Sequence, residues 1–185
     1  MPFAVRSSLD VVFWLTDRAL DDKEYLQPQK LHRLMYLAQA YYSVAYPGRR
    51  LMPAVFVTDA FGPIEPTVFH MLSYGRPHMV EANPIAGDVA HFLDSIWRRF
   101  GQYTADQLTK RVVEHNPVAE AMAKGPGEEI PFAKMVEFYA SEAAARKGAG
   151  VETVVRPRVM RSQTGKPVSV MAWTPKAATV KKDEG

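Results

Sequence analysis

Apolar and polar positions along this chain recur mostly at the three- and four-residue steps of a helix. The first such run, Val11, Val12, Phe13, Leu15, Ala19 and Leu20, opens at Ser7-Ser8-Leu9-Asp10 and ends in the polar turn Asp21-Asp22-Lys23. Ser7 and Asp10 have the spacing of a capping box, with Asp in place of the usual Glu. A second run, Leu31, Leu34, Met35, Ala38, Tyr41, Tyr42 and Ala45, predicts a helix that begins at Pro28 and is stopped by Pro47-Gly48. Gln27 is its N-cap, a poor one. Tyr36, Leu37, Ala40 and Val44 make the other side of this helix apolar too, which is the mark of a central helix packed on every face.

The pattern shortens to two residues only briefly. Leu51 to Thr58 is the β candidate of the body, with Val55-Phe56-Val57-Thr58 its strand-like part. Phe61-Gly62-Pro63 then turns the chain, and Thr67 to Tyr74 reads as a short third helix closed by Gly75 and Pro77. Asn83-Pro84 is the expected start of a fourth helix carrying Val89, Phe92, Leu93, Ile96, Trp97 and Phe100 to Gly101. Thr104 and Gln107 form a second capping box ahead of Leu108, Val112 and Val113. Asn116-Pro117 starts a short helix through Ala123, Gly125-Pro126-Gly127 breaks the chain, and Pro131 starts a last helix that fades through Ala143-Ala144-Ala145.

The last forty residues differ in kind. Val151–Met160 and Val168–Trp173 are Val-rich and flank Ser162-Gln163-Thr164-Gly165-Lys166, a pattern that allows a β-hairpin, while residues 174–185 read as disordered. The fold expected is therefore mainly α: a multi-helix domain over residues 1–147 around a buried central helix, with one short β element and a basic extension over 148–185. The 185 residues suit one such domain. Charge sharpens the division, because residues 1–145 carry a net charge of −3 and residues 146–185 a net of +6. No apolar run is long enough to span a membrane, and Met1 to Arg6 lacks the character of a signal peptide, so a cytoplasmic protein without a membrane partner is expected.

Candidate chemistry is sparse. The absence of cysteine excludes disulfides, thiolate nucleophiles and Cys-ligated metal. None of His32, His70, His78, His91 and His115 has the spacing of a zinc site; hydrogen-bonded or solvated structural histidines are expected. Gly125-Pro126-Gly127-Glu128-Glu129 lacks the Lys and Ser/Thr of a phosphate loop, and its carboxylates would repel phosphate. Asp21-Asp22 and Glu128-Glu129 lie in turns, where a fixed acid–base separation is hard to hold. No catalytic, cofactor-binding or metal-binding residue is assigned, and the chain reads as a non-enzyme. What remains are residue types that interfaces favour: Arg33, Tyr41, Arg49, Arg50 and Phe61 in the body, and Arg156, Arg158 and Arg161 in the tail. The basic tail raises the alternative of a nucleic-acid-binding regulator, but the body is acidic and no helix-turn-helix or RNA-binding signature accompanies it.

Two segments carry a resemblance. Gln29-Lys30-Leu31-His32-Arg33-Leu34-Met35-Tyr36-Leu37-Ala38-Gln39-Ala40-Tyr41 resembles the hallmark helix of Panacea domains, in which a Pro-x-Lys-Leu-x-Lys-Leu-Leu-Tyr-x-Ala-Gln pattern recurs. Ala60-Phe61-Gly62-Pro63-Ile64-Glu65-Pro66-Thr67-Val68-Phe69 resembles the second hallmark, Tyr-Gly-Pro-Val-x-Pro-x-x-Tyr, and Gly48-Arg49-Arg50-Leu51 lies between them as in the family. His32 and Arg33 stand where Gln and Lys are usual, Phe61 and Phe69 replace tyrosines, and a tryptophan common before the Gly-Pro turn is missing. The resemblance spans residues 8–140 or so and implies an antitoxin that neutralises a small toxin by direct contact. The length and the basic tail are most similar to the proteolytic-adaptor members. These hold a SocB-like toxin and deliver it to the AAA+ protease ClpXP; a spared toxin binds the DNA sliding clamp and blocks replication. Neutralisation without proteolysis is the alternative within the family.

Overall fold

Ser7 caps the first helix as its spacing predicts. In the computed structural model its Oγ accepts the Leu9 N–H at 3.1 Å, and Asp10 Oδ2 accepts the Ser7 N–H at 2.9 Å. The structure describes residues 3–73 and 83–148, together with the backbone of 158–161 and 167–170; side chains are described as far as residue 145.

Helix α1 runs over Ser8–Asp21 and α2 over Pro28–Ala45, with Pro28 at the head of α2 and no side-chain cap from Gln27. A two-stranded antiparallel sheet follows, β1 (Val57–Asp59) and β2 (Gly62–Ile64), paired Val57 to Ile64, Thr58 to Pro63 and Asp59 to Gly62. Then come α3 (Pro66–Leu72), α4 (Gly87–Phe100), α5 (Ala105–Val113), α6 (Asn116–Met122) and α7 (Phe132–Gly148). Backbone segments β3 (Arg158–Arg161) and β4 (Pro167–Val170) pair antiparallel, so the hairpin allowed by the Val-rich pattern is present. The expectation for residues 174–185 lies outside the described residues.

The molecule is mainly helical and α2 is its spine, packed by α1, α4, α5, α7 and β2. Leu34, Met35, Tyr36, Ala38 and Ala40 are wholly buried on different sides of it. A helix so enclosed draws its stability from the apolar area it removes from water rather than from its own propensity. Aromatic rings fill much of the surrounding space: Tyr36 meets Phe56 edge-on at 5.4 Å and Tyr139 at 6.2 Å, and Tyr42 meets Phe92 edge-on at 5.1 Å.

Three expectations are corrected. The strand expected over Leu51–Thr58 is cut to Val57–Asp59, because the chain before it spends its backbone groups elsewhere. Val5 N–H donates to Leu51 O at 2.9 Å, while Gln39 Oε1 accepts the Met52 N–H at 3.1 Å and Gln39 Nε2 donates to Met52 O at 3.3 Å. Phe61-Gly62-Pro63 is more than a turn, since Gly62 and Pro63 already belong to β2 and the turn proper is Ala60-Phe61. The fourth helix starts at Gly87, not at Asn83-Pro84; Asn83 instead donates its backbone N–H and its Nδ2 to Asp10 Oδ1, each at 3.0 Å.

The Gly125-Pro126-Gly127 connector does something its composition does not reveal. It brings residues 127–130 alongside the free edge of β1, where Gly127 N–H donates to Thr58 O (2.7 Å), Thr58 N–H to Glu128 O (2.9 Å) and Ile130 N–H to Phe56 O (2.8 Å).

Candidate functional site

Four polar side chains of α2, Lys30, His32, Arg33 and Gln39, lie inside the protein, and each bonds a non-helical stretch of backbone. Lys30 Nζ donates to the Glu24 carboxylate and to Gly101 O, and sits 5.5 Å from the Trp97 ring centre. Gln39 holds Met52 as described above. Arg33 reaches the hairpin: its guanidinium donates to Phe61 O, to Pro63 O at 3.2 Å and to Thr109 Oγ1 at 3.1 Å. His32 Nδ1 accepts the Glu65 N–H at 3.2 Å. Because Nδ1 is the acceptor, the ring proton of this neutral imidazole is on Nε2, which is buried without a hydrogen-bond partner. Burial pushes the His32 imidazole down to about 4, with the neighbouring Arg33 charge acting the same way and Asp59 opposing. Burial likewise pushes the Arg33 guanidinium down to about 10, which leaves it cationic at neutral pH.

Arg33, expected at a partner surface, is thus corrected to an internal strut with 1% of its surface exposed. The reason is geometric. The outer edge of β2 has no third strand, and the planar guanidinium supplies several donors in the directions its carbonyls need. Gly62 makes the approach possible: its φ is +121°, and a Cβ there would meet Arg33 Nη2 at 3.3 Å. Glu65 completes the clamp, its Oε2 accepting the Val68 N–H at 2.6 Å as the N-cap of α3.

What this clamp displays is apolar. Phe61, at the tip of the hairpin, is 59% exposed, and Phe69 on α3 is 50% exposed. Phe61 is tied to α2 through Arg33, and the Phe69 ring lies 6.1 Å from that of His32, so successive residues of α2 carry both. Both edges of the small sheet are occupied, one by residues 127–130 and one by the α2 side chains. This face therefore presents side chains rather than free strand edges. Phe69 and His32 were legible only as members of a hallmark pattern; nothing in helical spacing separates an exposed Phe69 from a core one.

The other expected residues separate. Tyr41 is half-buried, its ring 5.6 Å from Phe100 and 5.1 Å from Tyr139, with the Arg99 guanidinium 5.0 Å above it. Arg49 is exposed, and Arg50 lies 3.9 Å from the centre of the Phe132 ring. Both follow the C-terminus of α2, whose 18 residues give a length of about 27 Å, so they stand at the opposite end of the spine from the Phe61 turn. Arg158 and Arg161 belong to β3, and Arg156 lies outside the described residues.

Two of the turn carboxylates, Asp22 and Glu128, have side-chain partners. Asp22 accepts the Trp97 Nε1–H at 2.8 Å and pairs with Arg18 at 2.6 Å, which holds its carboxyl below the usual range, Arg18 contributing most. Glu128 pairs with Lys124 at 3.1 Å. His115 Nδ1 meets the Tyr139 hydroxyl at 2.7 Å. Among the described residues no three of His, Asp or Glu gather as a metal site would require, and no helix is long and apolar enough to cross a membrane.

Fold and site together define a helical scaffold that braces a short hairpin and presents aromatic side chains from it. Comparison with family models, with curated proteins and with solved structures finds no match to this chain.

Proposed function

We propose that this protein is a non-enzymatic antitoxin of the Panacea type, acting in the cytoplasm as a proteolytic adaptor in the manner of SocA. The folded body binds a small SocB-like toxin, and the complex is delivered to ClpXP. The observation that carries this reading is the exposed Phe61 on a turn clamped by the buried Arg33. A large exposed apolar side chain on a backbone already fixed by hydrogen bonds lowers the ordering cost of binding, which is what an interface anchor requires. The rest follows from linkage: a toxin held on one surface, while another engages the protease, meets the protease at a raised effective concentration.

Reconstitution tests it. Purified ClpXP degrades the toxin rapidly when this chain is added and slowly without it, and Phe61→Asp reduces the acceleration while leaving the melting temperature unchanged. Equal degradation with and without the chain removes the adaptor role. If the toxin binds and is neutralised but not degraded, direct antitoxin action remains.

A further inference from the structure

At the far end of α2 the chain turns through Pro47-Gly48 and leaves a groove of about 380 Å³ against the start of α7. Phe132, Ala133 and Val136 of α7 form its apolar wall, with Ser43 and Gly48 opposite and Arg49 at the rim. Arg50 stacks on Phe132. Neither guanidinium has a carboxylate partner among the described residues. Glu137 also lines the groove, while Lys134 on the same helix pairs with Glu120 at 2.5 Å. The two helix ends that meet here, the C-terminus of α2 and the N-terminus of α7, carry opposite partial charges that offset one another. Two guanidiniums, Arg49 and Arg50, against the one carboxylate of Glu137 leave the mouth of the groove net positive.

We propose that this groove docks an acidic segment of a partner protein, which inserts one large apolar side chain between α2 and α7 while neighbouring carboxylates meet Arg49 and Arg50. Charge complementarity selects this occupant. The chain's own extension carries a net charge of +6 over residues 146–185 and is repelled by the same arginines. A nucleic acid matches the charge but leaves the apolar wall uncovered. The groove lies at the opposite end of the spine from the Phe61 turn, and its occupancy does not depend on the antitoxin reading.

Fluorescence anisotropy on the full chain tests this with a short labelled peptide in which leucine is flanked by aspartates. Expected is binding with a Kd near or below about 100 μM that weakens as salt rises. A peptide with lysine for aspartate, one with serine for leucine, and a single-stranded oligothymidylate should each bind at least about tenfold more weakly. Arg49→Glu, at an exposed position, and Ala133→Trp, which fills the groove from an exposed helical site, should each cost at least about tenfold, with thermal melting confirming that both variants fold. Four results overturn the proposal. One is no binding of the acidic peptide up to about 1 mM. Another is equal binding of any control, and the third is affinity unchanged in both variants. Self-association of the free chain that Ala133→Trp abolishes would also overturn it, by giving the groove to a second copy.

Discussion

A neutral imidazole and a charged guanidinium sit side by side at positions 32 and 33, both buried and both bonded to the segment that follows the hairpin turn. His32 can hold the Glu65 N–H only while Nδ1 is unprotonated. With its folded value at about 4, below the ordinary 6.5, the unfolded chain takes up this proton first as pH falls. The His32 contribution to stability is complete above about pH 6.5, declines as pH drops towards 4 and is then lost, a change on the order of 3 kcal/mol. Denaturant unfolding of the wild type and of His32→Gln across that range measures it, and parallel curves would assign the pH dependence to other groups. Arg33→Lys should cost about 2–4 kcal/mol by the same method, because one ammonium cannot replace a fork that serves Phe61 O, Pro63 O and Thr109 at once.

Among the elements, α2 and the β1–β2 hairpin depend on each other. A two-stranded hairpin is marginal in water by itself. This one is held on one edge by residues 127–130 and on the other by His32 and Arg33. Gly62→Ala should destabilise the protein by about 1–2 kcal/mol, since a Cβ at φ +121° is both strained and crowded by Arg33 Nη2; chemical denaturation reads this out. In the helix itself, Leu34 is fully buried, and Leu34→Ala should cost on the order of 2–5 kcal/mol, abolishing function through unfolding; an unchanged melting temperature would contradict its place in the core. The helices were legible because caps and apolar periodicity are local: Ser7 with Asp10 and Thr104 with Gln107 both form the capping boxes their spacing implies. Asn83-Pro84 misled for the complementary reason. Asn83 does not cap α4; it donates its backbone N–H and Nδ2 to Asp10, more than seventy residues away in sequence.

For the whole molecule, the exposed features separate along the spine, the Phe61 turn towards one end and the Arg49–Arg50 groove at the other. Phe61→Asp should leave unfolding free energy within about 0.5 kcal/mol of the wild type, because the side chain is mostly solvated. It should weaken binding to a partner that uses the turn by about 2 kcal/mol or more, measured by calorimetry against the toxin.

The order of the helices, the presence of apolar residues on both sides of α2 and the contrast between an acidic body and a basic extension were determined by the sequence alone. These depend on short-range periodicity and on charge counts that no folding can alter. Which polar residue of α2 would face outward was decided only by tertiary structure. Lys30, His32, Arg33 and Gln39 look alike in a helical pattern, and each is buried because a particular backbone segment arrives beside it with unsatisfied groups. That arrival is a long-range event, and it turns Arg33 from a surface candidate into the brace that holds Phe61 in solvent.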